Sequence, residues 1–130
     1  MNNKLTKMAA ILTLIIGGMA IFAGGQVVLG KIMDYYVIDW LPIYNFTVGL
    51  VSAFFTAIII WRGSKIALPA AIATLTAHAT VMLVLQTAYR DVVASESIRA
   101  MTIRITAWLI ILALMLIQAR NDNRIPKYGY

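Results

Sequence analysis

Arg104, in the stretch RAMTIRITAW (99–108), stands in an otherwise apolar segment. A guanidinium there has few uses: it can hold an anion, polarise a carbonyl or pair with a carboxylate. His78 is the one histidine of the chain, and Trp108, Asn45, Gln86 and Gln26 are further hydrogen-bonding side chains inside apolar runs. These six residues, Arg104, His78, Trp108, Asn45, Gln86 and Gln26, are the candidate ligand-binding set. They are donors and acceptors, not a reaction centre. No carboxylate falls within an apolar run, so the acid pairs of proton-coupled relays and membrane aspartyl enzymes are missing. Cysteine is absent, which removes thiol redox chemistry and thiolate metal sites. One histidine builds no metal site in a single chain, although two copies could pair their His78 side chains. No phosphate-binding loop, hydrolase-type serine motif or acidic metal cluster is present, and no residue is assigned as catalytic.

The elements that must carry these side chains follow from composition. Of 130 residues 62% are apolar and mean hydropathy is +0.84, well above the roughly half expected of soluble domains. The apolar residues fall into four blocks, about 8–30, 43–61, 66–89 and 98–119. Each is near the ~20 residues that cross a hydrocarbon core. The expectation is an all-α, integral membrane four-helix bundle forming a single transmembrane domain over residues 1–130, with the lipid bilayer as its first partner. The first block, preceded by Lys4 and Lys7, is long for the apolar region of a signal peptide and reads as helix one.

Charge assigns the ends. One face holds Lys4, Lys7, Arg62, Lys65, Arg120, Arg124 and Lys127 against Asp122; the other holds Lys31, Arg90, Arg99 and Arg104 against Asp34, Asp39, Asp91 and Glu96. The whole net charge of +6 sits on the first face. The positive-inside rule then places both termini on the cytoplasmic side. The basic excess is a topology signal, so no nucleic-acid partner is expected. Attraction to anionic cytoplasmic headgroups is a second use for it.

Rises of ~1.5 Å per residue from the cytoplasmic ends place Trp108 at ~18 Å, His78 at ~20 Å and Thr47 at ~23 Å. Arg104 follows at ~24 Å, Asn45 at ~26 Å, Gln26 at ~29 Å and Gln86 at ~32 Å on the same scale. The strongly polar side chains therefore gather in the middle and outer half. Hydroxyls such as Thr13, Ser52, Thr56 and Thr74 occupy the inner half, where they can bond back to their own helix. Arg104 and Trp108, four apart, share a face of helix four, and His78, Met82, Leu85 and Tyr89 form a stripe on helix three. Facing stripes would bring His78 level with Trp108 and set Arg104 beside Asn45 or Gln86, in a polar pocket open to the outer surface. Two fates compete for Arg104: it snorkels outward to headgroups or to Glu96 and Asp91, or it faces a ligand. Gln26, Gln86 and Asn45 read equally well as interhelical hydrogen-bonding groups, and Trp108 as packing.

Small residues set the packing. Gly17, Ala20 and Gly24 share a face of helix one, and Ala67, Ala70, Ala71, Ala73 and Ala77 line helix three, which pairs helices one and three. The segment KIMDYYVIDWLPIY (31–44) reads as an interfacial loop lying flat on the membrane, with Pro42 in the first turn of helix two. WRGSK (61–65) is a tight turn with Gly63 as stop and Ser64 as cap; Ser95 or Ser97 caps helix four.

In layout the chain resembles the small bacterial inner-membrane proteins grouped as DoxX-like. LPIYNFTVG (41–49), WRG (61–63) and AMTIRITAW (100–108) resemble uncharacterised members of this length. Some DoxX-like proteins are small subunits of quinone-linked oxidoreductases, so the resemblance implies an amphiphilic ring, a quinone, as the ligand. Three functions stand open. The first is a non-catalytic interaction or accessory protein that docks on another membrane protein or on a second copy. The second is a binder of a quinone-like or anionic amphiphile at Arg104 and His78. The third is an oligomeric transporter of a small solute.

Overall fold

The computed structural model of the chain describes residues 3–124. Among these it is all-helical: α1 (Lys4–Val28), α2 (Leu41–Trp61), α3 (Ala67–Thr87) and α4 (Ser95–Arg124). All four are long and apolar enough to cross a membrane. The charge of Lys127 lies outside the described residues.

The helix limits differ from the apolar blocks where backbone and hydropathy part company. α1 begins at Lys4 and α4 at Ser95, each ahead of its block, because helical hydrogen bonding continues through polar residues that hydropathy excludes. Glu96 in the first turn of α4 also suits the positive end of the helix dipole. Pro42 sits in the first turn of α2, where its missing N–H costs nothing. At the other ends, Gly63 and Gly30 adopt positive φ (65° and 109°). Behind them the N–H groups of Ser64 and Lys31 reach the carbonyls five residues back, Ile59 and Gln26, at 2.9 Å each. Gly63 is thus the expected stop, whereas Gly30, read as part of helix one, terminates it instead. Ser64 accepts from the Ile66 N–H at 3.3 Å, just ahead of α3. Ser95 directs its hydroxyl to the Glu96 carboxylate (3.2 Å), and Ser97 lies inside the first turn.

The expected pairing of helices one and three is not found. α1 lies along α2 and against α4, α3 packs on α4, and the α1 and α3 backbones do not run together. The glycines decide this. A Cβ added at Gly17 would come within 2.8 Å of the Ala53 backbone nitrogen. One at Gly24 would strike the Pro42 carbonyl and come within 2.5 Å of the Phe46 nitrogen, and one at Gly49 would stand 2.7 Å from the Ile21 nitrogen. The matching small face is on α2, at Gly49 and Ala53; the alanines of α3 instead contribute Ala67 and Ala71 to the bundle core. Midway along α2 a π-helical turn (Ser52–Thr56) runs beside the α1 crossing.

The core has two layers. One holds Ala9, Ala10, Ile16, Ile60, Ala67, Ala71, Ala107, Trp108 and Ile111; the other, toward the loop end, holds Ile38, Leu41, Leu85 and Met101. Ile38 corrects the expectation of a flat interfacial loop: Ile32 and Tyr36 stay exposed, but the segment turns inward at Ile38, and Trp40 Nε1 donates to Tyr89 Oη at 3.0 Å. The loop thereby closes over α3 and α4.

Candidate functional site

Three helices meet around the candidate residues. α2 enters with two consecutive polar side chains, Tyr44 and Asn45. About 100° of helical rotation separates them, so they face different neighbours. Tyr44 faces α3, where its hydroxyl shares a 2.8 Å hydrogen bond with His78 Nδ1, the rings edge to face at 5.7 Å. Asn45 faces α4, where its Oδ1 accepts from Arg104 Nη1 at 2.7 Å. Back on α4, Trp108 sits one turn from Arg104 and its indole lies tilted beside the His78 ring, centroids 6.4 Å apart. The contacts close a circuit across α2, α3 and α4 through Arg104, Asn45, Tyr44, His78 and Trp108.

Arg104 is only 5% exposed, so it does not snorkel to the surface. Among the described residues no carboxylate comes within ion-pair distance of it, neither Glu96 nor Asp91. A guanidinium carries five N–H donors, and here one neutral amide oxygen takes one of them. No fully buried polar side-chain atom among the described residues lacks a hydrogen-bond partner. Its other nitrogens are thus not sealed off completely, and Arg104 is among the residues that line a cavity. That cavity, about 60 Å³, is bordered by Tyr35, Pro42, Asn45, Glu96, Ser97 and Arg104 and leads toward the loop end. At ~30 Å³ per water it has room for about two waters, or for one compact oxyanion.

The energetics favour a further partner. An arginine well inside a membrane helix costs ~2.5 to 3.5 kcal/mol on insertion scales. One hydrogen bond from a charged donor returns ~1.5 to 3 kcal/mol, which offsets that cost without neutralising the charge. An anionic oxygen or a polarised carbonyl in the cavity would take up the remaining donors.

Of the six candidate residues, four come together: Arg104, Asn45, His78 and Trp108. His78 and Trp108 do not line the cavity beside Arg104. Gln86 is exposed on α3, and Gln26 accepts from Lys31 Nζ at 3.2 Å near the loop end, so neither joins the cluster. Thr47 is exposed too, in a shallow groove between α2 and α3. Thr13 and Thr74 do bond back to the carbonyls of Ala9 and Ala70, at 2.8 Å each.

Two residues escaped the sequence reading. Tyr44 was counted with the interfacial aromatics of the loop, yet it falls inside the second apolar block, where a phenol needs a partner. Gln118 is buried at the opposite end, 5% exposed, which breaks the expected rule that only hydroxyls occupy that half. Its Oε1 accepts from the Leu5 N–H of α1 (3.1 Å), and its Nε2 donates to Asp122 Oδ1 (3.0 Å). It satisfies one of the free N–H groups that every helix start leaves. Its place four residues before Asp122, at i and i+4, was the available signal.

Comparison of the chain with protein-family models, with curated proteins and with solved structures finds no match.

Proposed function

We propose that this chain is a small multi-pass protein of a bacterial inner membrane, with both termini cytoplasmic, that binds the anionic headgroup of an amphiphile at Arg104 from the outer side without catalysing a reaction on it. Four membrane-length helices support insertion, and the concentration of basic residues at one end supports the orientation. The observation that carries the reading is the buried Arg104 guanidinium, held by the neutral Asn45 and open to a compact cavity. The layout shared with DoxX-like proteins brings a quinone into consideration. Arg104 fits one carbonyl of such a ring, but His78 is not beside it to supply a second donor, and the cavity suits a headgroup oxyanion better.

The test is mass spectrometry of lipids and quinones that co-purify with the full-length protein and with Arg104→Gln and Arg104→Lys. An oxyanion-bearing amphiphile should be retained by the native protein and fall at least about tenfold in Arg104→Gln, the equivalent of ~1.4 kcal/mol, with partial retention in Arg104→Lys. Identical content in all three would refute the reading. A quinone in place of an anionic lipid would support the DoxX-like alternative.

A second reading, an accessory protein docking on another membrane helix or a second copy, rests on α3. It is the least buried of the four helices, and it turns Thr76, Thr80 and Gln86 outward. Small and amide side chains of this kind join helices in lipid. Crosslinking through cysteines placed at Thr76 and Thr80 would detect such a neighbour.

A further inference from the structure

At the end of the bundle opposite Arg104, a groove runs between α1 and α2 on the outer surface. Ala10, Ala53 and Ala57 form its floor, and Ile11, Leu14, Ile58 and Trp61 its walls, around a volume of about 250 Å³. It exists because the helices touch backbone to backbone at Gly17 and Ala53, while the side chains beyond that crossing are too small to fill the space between them. From Leu14 to Ala10 it extends roughly 6 Å along α1, and Lys7 lies one turn beyond.

Its mouth differs in character from its floor. Arg62 lines it, and Lys7 Nζ stands 4.2 Å from the centre of the Trp61 ring. An ammonium over an indole turns one side to the ring, and its remaining N–H groups can bind an anion. Lys7, Ala10, Ile11 and Leu14 follow one another on a single helical stripe, so the apolar channel leads directly to the cation. Among the described residues no carboxylate lines the groove.

We infer that this groove holds one acyl chain of an anionic glycerophospholipid whose phosphate is bound by Lys7 and Arg62 beside Trp61. An apolar channel accounts for the chain, two cations with no acid between them account for the charge, and an indole at the mouth suits the headgroup level. The inference rests on membrane insertion but is independent of the Arg104 site.

The test uses the full-length protein in a zwitterionic detergent, titrated separately with phosphatidylglycerol, with phosphatidylcholine of the same acyl chains, and with inorganic phosphate. Native mass spectrometry counts bound lipid, and thermal unfolding reports stabilisation. Phosphatidylglycerol should be retained in preference to phosphatidylcholine. Lys7→Gln and Arg62→Gln should each weaken retention about fivefold. Lys65→Gln and Arg120→Gln, which remove the same charge from the same end, should change it less than about twofold. Three results would overturn the inference: equal retention of phosphatidylcholine, equal losses in all four end variants, or the same stabilisation by free phosphate. Release of the protein from membranes by alkaline carbonate would instead strike at membrane insertion itself.

Discussion

Two seams leave α2 in different directions, and they are built on opposite principles. Toward α1 the contact is backbone on backbone, at Gly17, Gly24 and Gly49. Toward α3 and α4 it is made by side chains: Tyr44 to His78 and Asn45 to Arg104. In an apolar medium helices gain little from burying leucine, since lipid is equally apolar, so association comes from close approach or from hydrogen bonds. This molecule uses one on each side of the same helix. The steric seam tolerates no added atom, whereas the polar seam leaves a cavity beside its charged member. Rigid packing on one side and unspent donors on the other is what a binding site mounted on a fixed frame requires.

The contrast predicts unequal responses. Gly24→Val should be the most damaging substitution, costing more than about 3 kcal/mol, since neither the Pro42 carbonyl nor the Phe46 nitrogen can retreat without moving α2. Thermal unfolding in detergent would show it, and a native-like midpoint would mean that the helices are not seated on one another's backbones. Tyr44→Phe should cost about 1–3 kcal/mol by leaving His78 Nδ1 without its partner. Adding His78→Leu should recover part of that loss, because removing both partners is cheaper than removing one; strictly additive losses would show that the pair is not coupled. Asn45→Asp should leave the protein folded while lowering amphiphile retention about tenfold, ~1.4 kcal/mol, as a resident carboxylate takes the place of the incoming anion. Undiminished retention would move the ligand away from Arg104. Gly18→Ala, with nothing within 4 Å of the added carbon, should stay within about 0.5 kcal/mol of the native midpoint, which separates the glycines of the seam from those that merely populate α1.

How far these seams could be read in advance depended on the kind of signal. Arg104 near the depth of Asn45 or Gln86, and His78 level with Trp108, followed from counting rises along helices, because depth is a one-dimensional quantity. Gln86 and Gln26 had suitable depth but the wrong azimuth: one faces outward and the other bonds Lys31 near the loop end. The pairing of α1 with α3 failed for a related reason. Alanines on α3 and glycines on α1 looked complementary, but a small face shows only that some backbone approaches, not which one. Gly49 and Ala53, fewer in number and less conspicuous, supplied it.

Sequence alone determined the class of molecule. Four apolar runs of membrane length, a one-sided charge, and the lack of acids, cysteines and a second histidine inside those runs exclude most chemistry whatever the packing. Tertiary structure decided the neighbours: that α1 seats on α2, that Tyr44 completes the circuit, that Arg104 turns inward to an amide and a cavity, and that Gln118 ties α4 to the start of α1. The physical reason is the symmetry of a helix in an apolar medium. Hydropathy reports how deep a residue lies but hardly varies around the axis, so rotation and partner are settled only by which backbones can touch and which donors find acceptors.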